Sequence, residues 1–240
     1  MGIASDLKML YHIAFAKVGG KTHRERLDSF YAAQAEGYDD FRKRLLHGRE
    51  EMMRSLPIPA DGTLLDMGGG TGSNLEALPG LASLKRATVV DLCGPLLETA
   101  RKRIAEKGWT NVDTALADVT AYAPEDGPVD AITFSYSLTM IPDWVRALEQ
   151  AWALLKPGGV VGVADFYVSR KWPAAGMAKH TTFQRAFWPW WFGMDNVYPS
   201  PDHLPWLQSH FRQEKLLEGM GKVPYMPFRA PYYVFVGRKP

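Results

Sequence analysis

Apolar runs of strand length alternate with amphipathic helical stretches through the middle of the chain. Five such runs predict buried strands, at residues 63–67, 87–92, 111–117, 129–136 and 160–166. Helices are predicted at 95–107, with Pro95 in the first turn and Gly108 just beyond the end, and at 143–155. A further helix is expected after the glycines of residues 68–72. This alternation predicts an α/β fold around a mostly parallel sheet.

The pattern changes near the carboxyl terminus. Residues 213–220 and 232–237 each have the pattern of a strand, and no helical pattern separates them. They are expected to form an antiparallel pair at one edge, which makes a sheet of seven strands. Within 143–155 we expect Val145, Leu148, Trp152 and Leu155 to form the buried face.

The amino-terminal part has helical rather than strand periodicity. Residues 7–18 predict an amphipathic helix, which either packs on the body of the protein or lies in a membrane interface. Thr22 and Glu25 have the spacing of a capping box. The helix that they open carries Tyr31 and Tyr38. Asp39 or Asp40 then caps a helix running to about Leu56.

These patterns suggest a division of the chain. We predict a helical cap over residues 1–56 and a single domain over 57–240. Residues 170–206 hold five of the eight tryptophans and are interpreted as an aromatic lid or insertion in that domain.

Composition and charge narrow the class of protein. The 240 residues are 46% hydrophobic and 22% charged, which is typical of a soluble globular protein. The formal net charge of +2 is too small to indicate a nucleic-acid partner. Cys93 is the only cysteine, which excludes an intrachain disulfide and fits a reducing, cytoplasmic setting. No apolar run reaches the roughly 18 residues that span a bilayer.

The sequence LLDMGGGTG at residues 64–72 places four glycines behind a buried strand. A phosphate loop is excluded because no lysine follows, and a dinucleotide fingerprint is weakened because Ser73 stands where its third glycine belongs. Glycines let the backbone approach a ligand closely, and Asp66 offers a negative charge to an amino group. Asp91, at the end of the next strand, can accept hydrogen bonds from both ribose hydroxyls. The ligand so described is a nucleoside with an amino-acid tail.

This loop resembles the first motif of the class I S-adenosylmethionine-dependent methyltransferases. The resemblance continues through VVDLC at 89–93, ALADV at 115–119, DAITFSYSL at 130–138 and LLKPGGVV at 154–161. It implies a Rossmann-like fold and S-adenosyl-L-methionine as the cofactor. The cofactor-binding residues that we predict are Tyr38, Asp66, Met67, Gly68, Gly69, Gly70, Asp91, Leu92, Asp118, Val119 and Ser135.

The resemblance also implies individual roles. The three glycines border the methionine part, Asp91 binds the ribose, and Asp118 meets the adenine amino group with Val119 beside the ring. Ser135 and Tyr136 face the reacting centre. Asp118 could instead serve only a turn, and the two amino-terminal tyrosines could be core aromatics.

The flanking segments resemble the methyltransferase of betaine-lipid synthesis. They read THRERLDSFYAAQAEGYDDFRKRLLHGREEM, FWPWWFGMDNVYPSPDHLPWLQSHF and VPYMPFRAPYYVFVGRK. The resemblance implies that diacylglyceryl-homoserine is methylated three times on its amine, on the inner face of the membrane. It also implies a functional pairing with the enzyme that makes this lipid. Tryptophan, tyrosine and basic side chains suit a membrane interface.

Several groups are candidates for the chemistry at the acceptor. Tyr31, Tyr38 and Tyr136 are the leading catalytic candidates for orienting the amine or accepting its proton, and His180 and His203 are weaker ones. An arginine is wanted for the acceptor carboxylate, and Arg42, Arg49, Arg185 and Arg229 all remain open. No metal is expected. The alternatives are a phosphatidylethanolamine N-methyltransferase and a non-catalytic cofactor-binding subunit.

Overall fold

The computed structural model describes Thr22, Arg24, Glu25, Asp28 and residues 44–240. The predicted helix over 7–18 and both Tyr31 and Tyr38 lie outside the described residues. The capping box is confirmed. The amide of Glu25 donates to Thr22 Oγ1 over 3.2 Å, and the amide of Thr22 donates to Glu25 Oε2 over 3.3 Å.

Seven strands form one sheet with the order β3-β2-β1-β4-β5-β7-β6. Neighbours among β1 to β5 are parallel, whereas β7 runs antiparallel to both β5 and β6. The predicted α/β fold with an antiparallel edge pair is confirmed. The strands are β1 Thr63–Met67, β2 Arg86–Asp91, β3 Val112–Leu116, β4 Val129–Ser135, β5 Leu155–Phe166, β6 Arg212–Lys222 and β7 Arg229–Arg238.

The described part of the chain contains five α-helices. They are α1 Arg49–Arg54, α2 Gly94–Lys107, α3 Trp144–Leu154, α4 Thr182–Gly193 and α5 His203–His210. Helix α2 has proline in its first turn and ends at Gly108, whose φ is 64°. Thr181 and Gln184 form a reciprocal capping box at the start of α4. These local signals explain why the helices begin and end where they do.

The sheet separates two hydrophobic cores. Because successive strand residues point to opposite faces, Leu64 packs into the core that holds Met52 and Met53 of α1. Leu65 packs into the core that holds Leu148 of α3. All five of these side chains are buried. The sheet is therefore covered on both faces, as a mostly parallel sheet requires.

The prediction of a helix after the glycine loop is wrong. Two short 3₁₀ turns occupy this stretch, Ser73–Ala77 and Leu81–Ser83. Each follows a left-handed glycine, Gly72 with φ 68° and Gly80 with φ 74°. These glycines, with Pro79 between the turns, prevent a continuous α-helix.

The helix predicted to run on to about Leu56 is also corrected. It is interrupted before α1 by Gly48, whose φ is 79°. A Cβ on Gly48 would lie 2.5 Å from Val234 Cγ2 and 2.9 Å from a ring carbon of Tyr232, so the chain turns where it passes close to β7. This contact between distant parts of the chain gives no periodic signal.

Helix α3 is rotated slightly from the expected orientation. Val145 is 37% exposed, whereas Ala147, Leu148 and Ala151 are buried. Small residues at two of these positions allow the helix to pack closely on the sheet, and the side chain of Trp152 is only half-buried.

Residues 170–206 contain α4 and the beginning of α5. The division into a cap and a domain stays a prediction, since residues 1–21 and 29–43 are not described. Within the described residues, no helix combines the length and the apolar character needed to cross a bilayer.

Candidate cofactor and acceptor site

A cleft of about 290 Å³ opens where β1, β2 and β4 end. The carboxyl edge of a parallel sheet is where such folds bind ligands. Most of the predicted site residues line this cleft, namely Gly68, Gly69, Gly70, Asp91, Leu92, Asp118, Val119, Ser135 and Tyr136. The structure therefore brings these residues together at one cleft, and their roles in binding stay predictions.

The loop between β1 and the first 3₁₀ turn needs its glycines. Gly68, Gly70 and Gly72 have φ values of 68°, 57° and 68°, in the left-handed region that other residues rarely adopt. A Cβ on Gly68 would also lie 2.5 Å from the Cβ of Ser137. The loop can therefore follow this path, with its backbone lining the cleft, only with small residues.

Asp91 is held ready to bind hydroxyl groups. Its Oδ2 accepts from the amide of Gly70 over 2.9 Å, and its Oδ1 accepts from the amide of Cys93 over 2.8 Å. A carboxylate fixed in this way at a cleft wall is an acceptor suited to the hydroxyl groups of a ligand. The side chain is 8% exposed, at the cleft wall. This geometry fits the ribose of a nucleoside.

The structure places Asp66 beneath the glycine loop rather than in the cleft. It is fully buried, and its carboxylate accepts from Thr133 Oγ1 over 2.8 Å and from Asn74 Nδ2 over 3.3 Å. Burial raises the pKa of this carboxyl above its usual range. The prediction that Asp66 contacts the cofactor's amino group directly is therefore corrected. Asp66 supports the glycine loop from below. Met67 is likewise fully buried and does not line the cleft.

Asp118 and Val119 form the side of the cleft expected to hold the adenine. Asp118 Oδ1 accepts from the amide and the hydroxyl of Thr120, over 2.9 and 2.7 Å. This oxygen serves a turn, as the alternative interpretation proposed. Both contacts use Oδ1, so Oδ2 of this exposed side chain can still accept from a ligand amine.

Tyr136 lies at the opposite end, where the acceptor is expected. Its hydroxyl donates to the carbonyl of His47 over 2.7 Å, and burial raises its pKa well above the usual range. A phenol so placed keeps its proton, which corrects the expectation that Tyr136 accepts one from the amine. Its backbone φ of 54° is unusual for a bulky residue and turns the chain at the end of β4.

Aromatic rings continue behind Tyr136. Phe166 meets it edge to face at 4.7 Å between centroids, and Phe192 stacks on Phe166 at 4.3 Å. Trp188 stacks on Phe192 at 5.5 Å. The buried rings of α4 are thereby connected to the acceptor end of the cleft.

Arg49, at the start of α1, is the arginine of the predicted set that lines the cleft. Its charge lowers the pKa values of both Asp66 and Tyr136 against the raising effect of burial. Arg185 and Arg229 do not line the cleft, and Arg42 lies outside the described residues. Sequence alone did not separate these four, because Arg49 reaches the site only through the turn at Gly48.

The two histidines serve other purposes. His180 Nδ1 accepts from the amide of Ser169 over 3.0 Å, and the amide of His180 donates to Ser169 Oγ over 2.8 Å. His203 is fully buried against Trp144. Neither lines the cleft, and both are buried.

One wall of the cleft had not been predicted. Met140, Ile141 and Pro142 follow β4 and line the site. Asp165 holds this segment, since it accepts from the hydroxyl and the amide of Thr139 over 2.7 and 3.2 Å. The short apolar sequence carries no motif that would have indicated this role.

Asp28, one of the few described amino-terminal residues, contacts the start of α2. Asp28 Oδ1 accepts from the amide of Gly94 over 3.2 Å, at the start of α2. Cys93, next to it, is buried, and burial raises the pKa of its thiol to about 12. Among the described residues, no group of three or more histidine, cysteine, aspartate or glutamate side chains could hold a metal ion.

Comparison with known sequences agrees with this geometry. Residues 64–159 match the family described as a methyltransferase domain. The ubiquinone/menaquinone biosynthesis C-methyltransferase of Bartonella henselae is 29% identical over 160 residues, which cover 63% of this chain and 62% of that protein. The chain thus spans about three fifths of the length of the first curated relatives that it matches.

Solved structures share the fold. A Haemonchus contortus phosphoethanolamine N-methyltransferase 2, in complex with phosphomonomethylethanolamine and S-adenosylhomocysteine, has a TM-score of 0.69 at 14% identity, covering 92% of this chain and 61% of that one. A Burkholderia thailandensis 1,6-didemethyltoxoflavin-N1-methyltransferase, also with S-adenosylhomocysteine, has a TM-score of 0.60 at 20% identity, covering 93% of each chain. The predicted Rossmann-like methyltransferase fold is confirmed. The match to a methyltransferase domain agrees with S-adenosylmethionine as the cofactor.

Proposed function

We propose that the protein is an S-adenosylmethionine-dependent N-methyltransferase that converts diacylglyceryl-homoserine into diacylglyceryl-N,N,N-trimethylhomoserine at a membrane surface. The methyltransferase domain over residues 64–159 and the cleft at the carboxyl edge of the sheet support methyl transfer. The flanking segments that resemble the betaine-lipid methyltransferase support the choice of acceptor.

The predicted cofactor-binding residues that line the cleft support an assignment of the cofactor's parts. We assign the glycine loop to the methionine part, Asp91 to the ribose, and Asp118 with Val119 to the adenine. Both aspartates, Tyr136 and Arg49 line the cleft. The reacting centre is then bordered by Ser135 and Tyr136, at the end of β4.

When bound, the cofactor supplies an electrophilic methyl group on a sulfonium sulfur. The acceptor amine must first lose a proton to water or to a nearby base, and its lone pair then forms the new N–C bond as the C–S bond breaks. The chain's own contribution is to orient the amine and exclude water. Tyr31 and Tyr38 remain the proposed proton acceptors, while the hydroxyl of Tyr136 fixes the backbone of His47.

The observation that carries the choice of a carboxylate-bearing amine is the guanidinium of Arg49 in the cleft. A guanidinium pairs with a carboxylate through two parallel hydrogen bonds. Homoserine presents a carboxylate close to the amine, whereas ethanolamine presents none. Arg49 stands near Tyr136, at the end that we assign to the acceptor.

The test supplies labelled methyl donor with diacylglyceryl-homoserine or with phosphatidylethanolamine in detergent micelles. We expect label in the first lipid. Arg49→Gln should raise KM for it by about 10- to 100-fold, because a charge-assisted hydrogen bond contributes about 1.5–3 kcal/mol. Arg54→Gln, on the same helix but exposed and paired with Glu50, is the matched control.

The outcomes separate the possible roles of Arg49. If affinity for S-adenosylhomocysteine falls in Arg49→Gln while KM for the lipid stays, the arginine holds the cofactor's carboxylate instead. Methylation of phosphatidylethanolamine alone would contradict the proposed acceptor.

A second candidate is methyl transfer to a carbon acceptor. It is favoured by the relatives named ubiquinone/menaquinone biosynthesis C-methyltransferases. Their names indicate a quinone-like acceptor without an amine, so transfer of label to a reduced quinone but not to either amino lipid would select this alternative.

A further inference from the structure

Helix α4 exposes a row of large apolar side chains. Phe183 is 72% exposed and Trp190 is 64% exposed, and Met194, directly after the helix, is 56% exposed. Together with the half-buried Phe187 they are spaced by four, three and four residues, which places them on one face of the helix. Exposed apolar patches of this kind mark interaction sites.

Rings within this row contact one another, and a further exposed ring lies in the segment before α4. Phe183 stacks on Phe187 at 5.3 Å between centroids, and Phe187 meets Trp190 at 6.1 Å. Trp172, 74% exposed, carries Lys179 Nζ at 5.0 Å and Lys171 Nζ at 5.4 Å from its ring centroid. We call the set Trp172, Phe183, Phe187, Trp190 and Met194 the aromatic face.

The reverse side of α4 is fixed to the body of the protein. Trp188 and Phe192 are 3% and 7% exposed. Phe192 stacks on Phe166, which meets Tyr136 at the cleft. The aromatic face is thus the outer surface of the same layer whose inner surface borders the acceptor end of the cleft.

The charge of this segment has one sign. Residues 166–194 contain Arg170, Lys171, Lys179 and Arg185 and no aspartate or glutamate. Arg170 pairs with Asp202 over 2.7 Å, which leaves three cations beside the aromatic face.

Two acidic residues adjoin this segment, and neither forms an ion pair with Lys171, Lys179 or Arg185 in the described part of the chain. Glu218 accepts from the hydroxyl of Tyr167 and the amide of Ala178, over 2.5 and 2.9 Å. Asp195 follows the segment, and burial raises the pKa of its carboxyl to about 7.

We infer that the aromatic face docks on an anionic phospholipid surface and so presents the cleft to lipid headgroups. Tryptophan and phenylalanine insert at the interface, and lysine and arginine are attracted to anionic lipids. Docking rests on the proposed function for its purpose, since it brings the protein to a diacylglycerol-bearing acceptor. A symmetric dimer through this face would bring like charges together, because such an interface is self-complementary.

The test is sedimentation of the full chain with vesicles, without cofactor or acceptor. Vesicles of equal parts phosphatidylcholine and phosphatidylglycerol should bind the protein, and vesicles of phosphatidylcholine alone should bind it less. Phe183→Ser combined with Trp190→Ser should weaken binding by at least about tenfold, from the apolar area no longer buried. Leu116→Ser with Val145→Ser, both exposed elsewhere, is the matched control.

A second set of variants tests the contribution of charge. Lys171→Gln with Lys179→Gln should reduce binding to the anionic vesicles and lessen its sensitivity to salt. Lys85→Gln with Lys102→Gln, also exposed, is the control and should leave binding unchanged.

Vesicle binding unaffected by either pair of substitutions would overturn the inference. So would loss of a dimer, by analytical ultracentrifugation, in the Phe183→Ser and Trp190→Ser variant when no vesicles are bound. Failure of the proposed function looks different, because the protein would then bind vesicles through this face and still leave diacylglyceryl-homoserine unmethylated in micelles.

Discussion

At the scale of single residues, two separate constraints require glycine at position 68. Its φ of 68° disfavours any side chain, and the Cβ of Ser137 occupies the space that a methyl group would need. Gly158 has a similar φ of 77°, but no atom lies within 4 Å of the position that its methyl group would take. The two glycines therefore allow the effect of conformation to be separated from the effect of space.

We expect Gly158→Ala to lower the free energy of unfolding by about 1–2 kcal/mol, the cost of the left-handed conformation, and to leave cofactor affinity unchanged. Gly68→Ala should cost more, and should weaken S-adenosylhomocysteine binding by about tenfold or more because the loop must shift. Denaturant unfolding and calorimetry measure the two effects. Equal behaviour of the two variants would contradict the steric account.

Residue roles were predictable where the backbone alone decides them. The glycine loop and Asp91 follow from the ends of β1 and β2, which the apolar runs locate. Asp66 was misplaced because its partners Thr133 and Asn74 come from other elements. The bond from Tyr136 to His47 joins residues 89 apart along the chain, which no local pattern reveals.

At the scale of elements, α5 carries an unusual buried group. His203 is fully buried, and neither ring nitrogen has a hydrogen-bond partner among the described residues. Burial lowers its pKa from 6.5 to about 3. The folded protein therefore holds a neutral imidazole across a pH range in which the unfolded chain would be protonated.

This difference should destabilise the protein in acid. As pH falls below 6.5 the unfolded chain gains a proton that the folded chain takes up only near 3, so unfolding becomes more favourable. Between about pH 7.5 and about pH 5, His203→Phe should lose about 2 kcal/mol less unfolding free energy than the native protein. His210→Phe on the same helix, where the side chain is exposed, is the control. Parallel pH profiles for all three proteins would refute the role of burial.

The strands that are buried on both faces of the sheet were predicted well. The five parallel strands were expected as continuous apolar runs, and for four of them both predicted ends lie within one residue of the observed bounds. The fifth, β5, begins earlier, at Leu155, across Pro157 and two glycines. The prediction failed at turns where a glycine is required by contacts with residues distant in sequence, as at Gly48 before α1.

At the scale of the whole molecule, ligand binding should stabilise the fold. The cleft draws its walls from α1, the glycine loop and the ends of β2 and β4. These parts are far apart in sequence, so a ligand that contacts them together opposes global unfolding.

S-adenosylhomocysteine at about 100 times its Kd should add about 2.7 kcal/mol and raise Tm by roughly 5–10 °C. Asp91→Asn should lose most of this shift, because the amide replaces a carboxylate oxygen that accepts from the ribose. Asp113→Asn, a partly exposed carboxylate paired with Arg86, should keep it. An unchanged Tm for the native protein would contradict the assignment of this cleft to the cofactor.

The overall architecture was the most predictable property. Alternating elements gave the parallel sheet, and the absence of a helical pattern between the last two runs gave the antiparallel pair. The acceptor end was the least predictable, since Arg49 and Tyr136 line the same cleft although they are distant in sequence.

The burial of Cys93 has a practical consequence for spectroscopy. It is the only cysteine in the sequence, and a thiol with a pKa of about 12 reacts slowly with maleimides and iodoacetamides near neutral pH. In the Phe183→Cys variant, a thiol-reactive fluorophore sensitive to polarity would therefore label the introduced cysteine and leave Cys93 almost unlabelled. The emission colour of that dye would report, in real time, how deeply α4 enters a lipid layer.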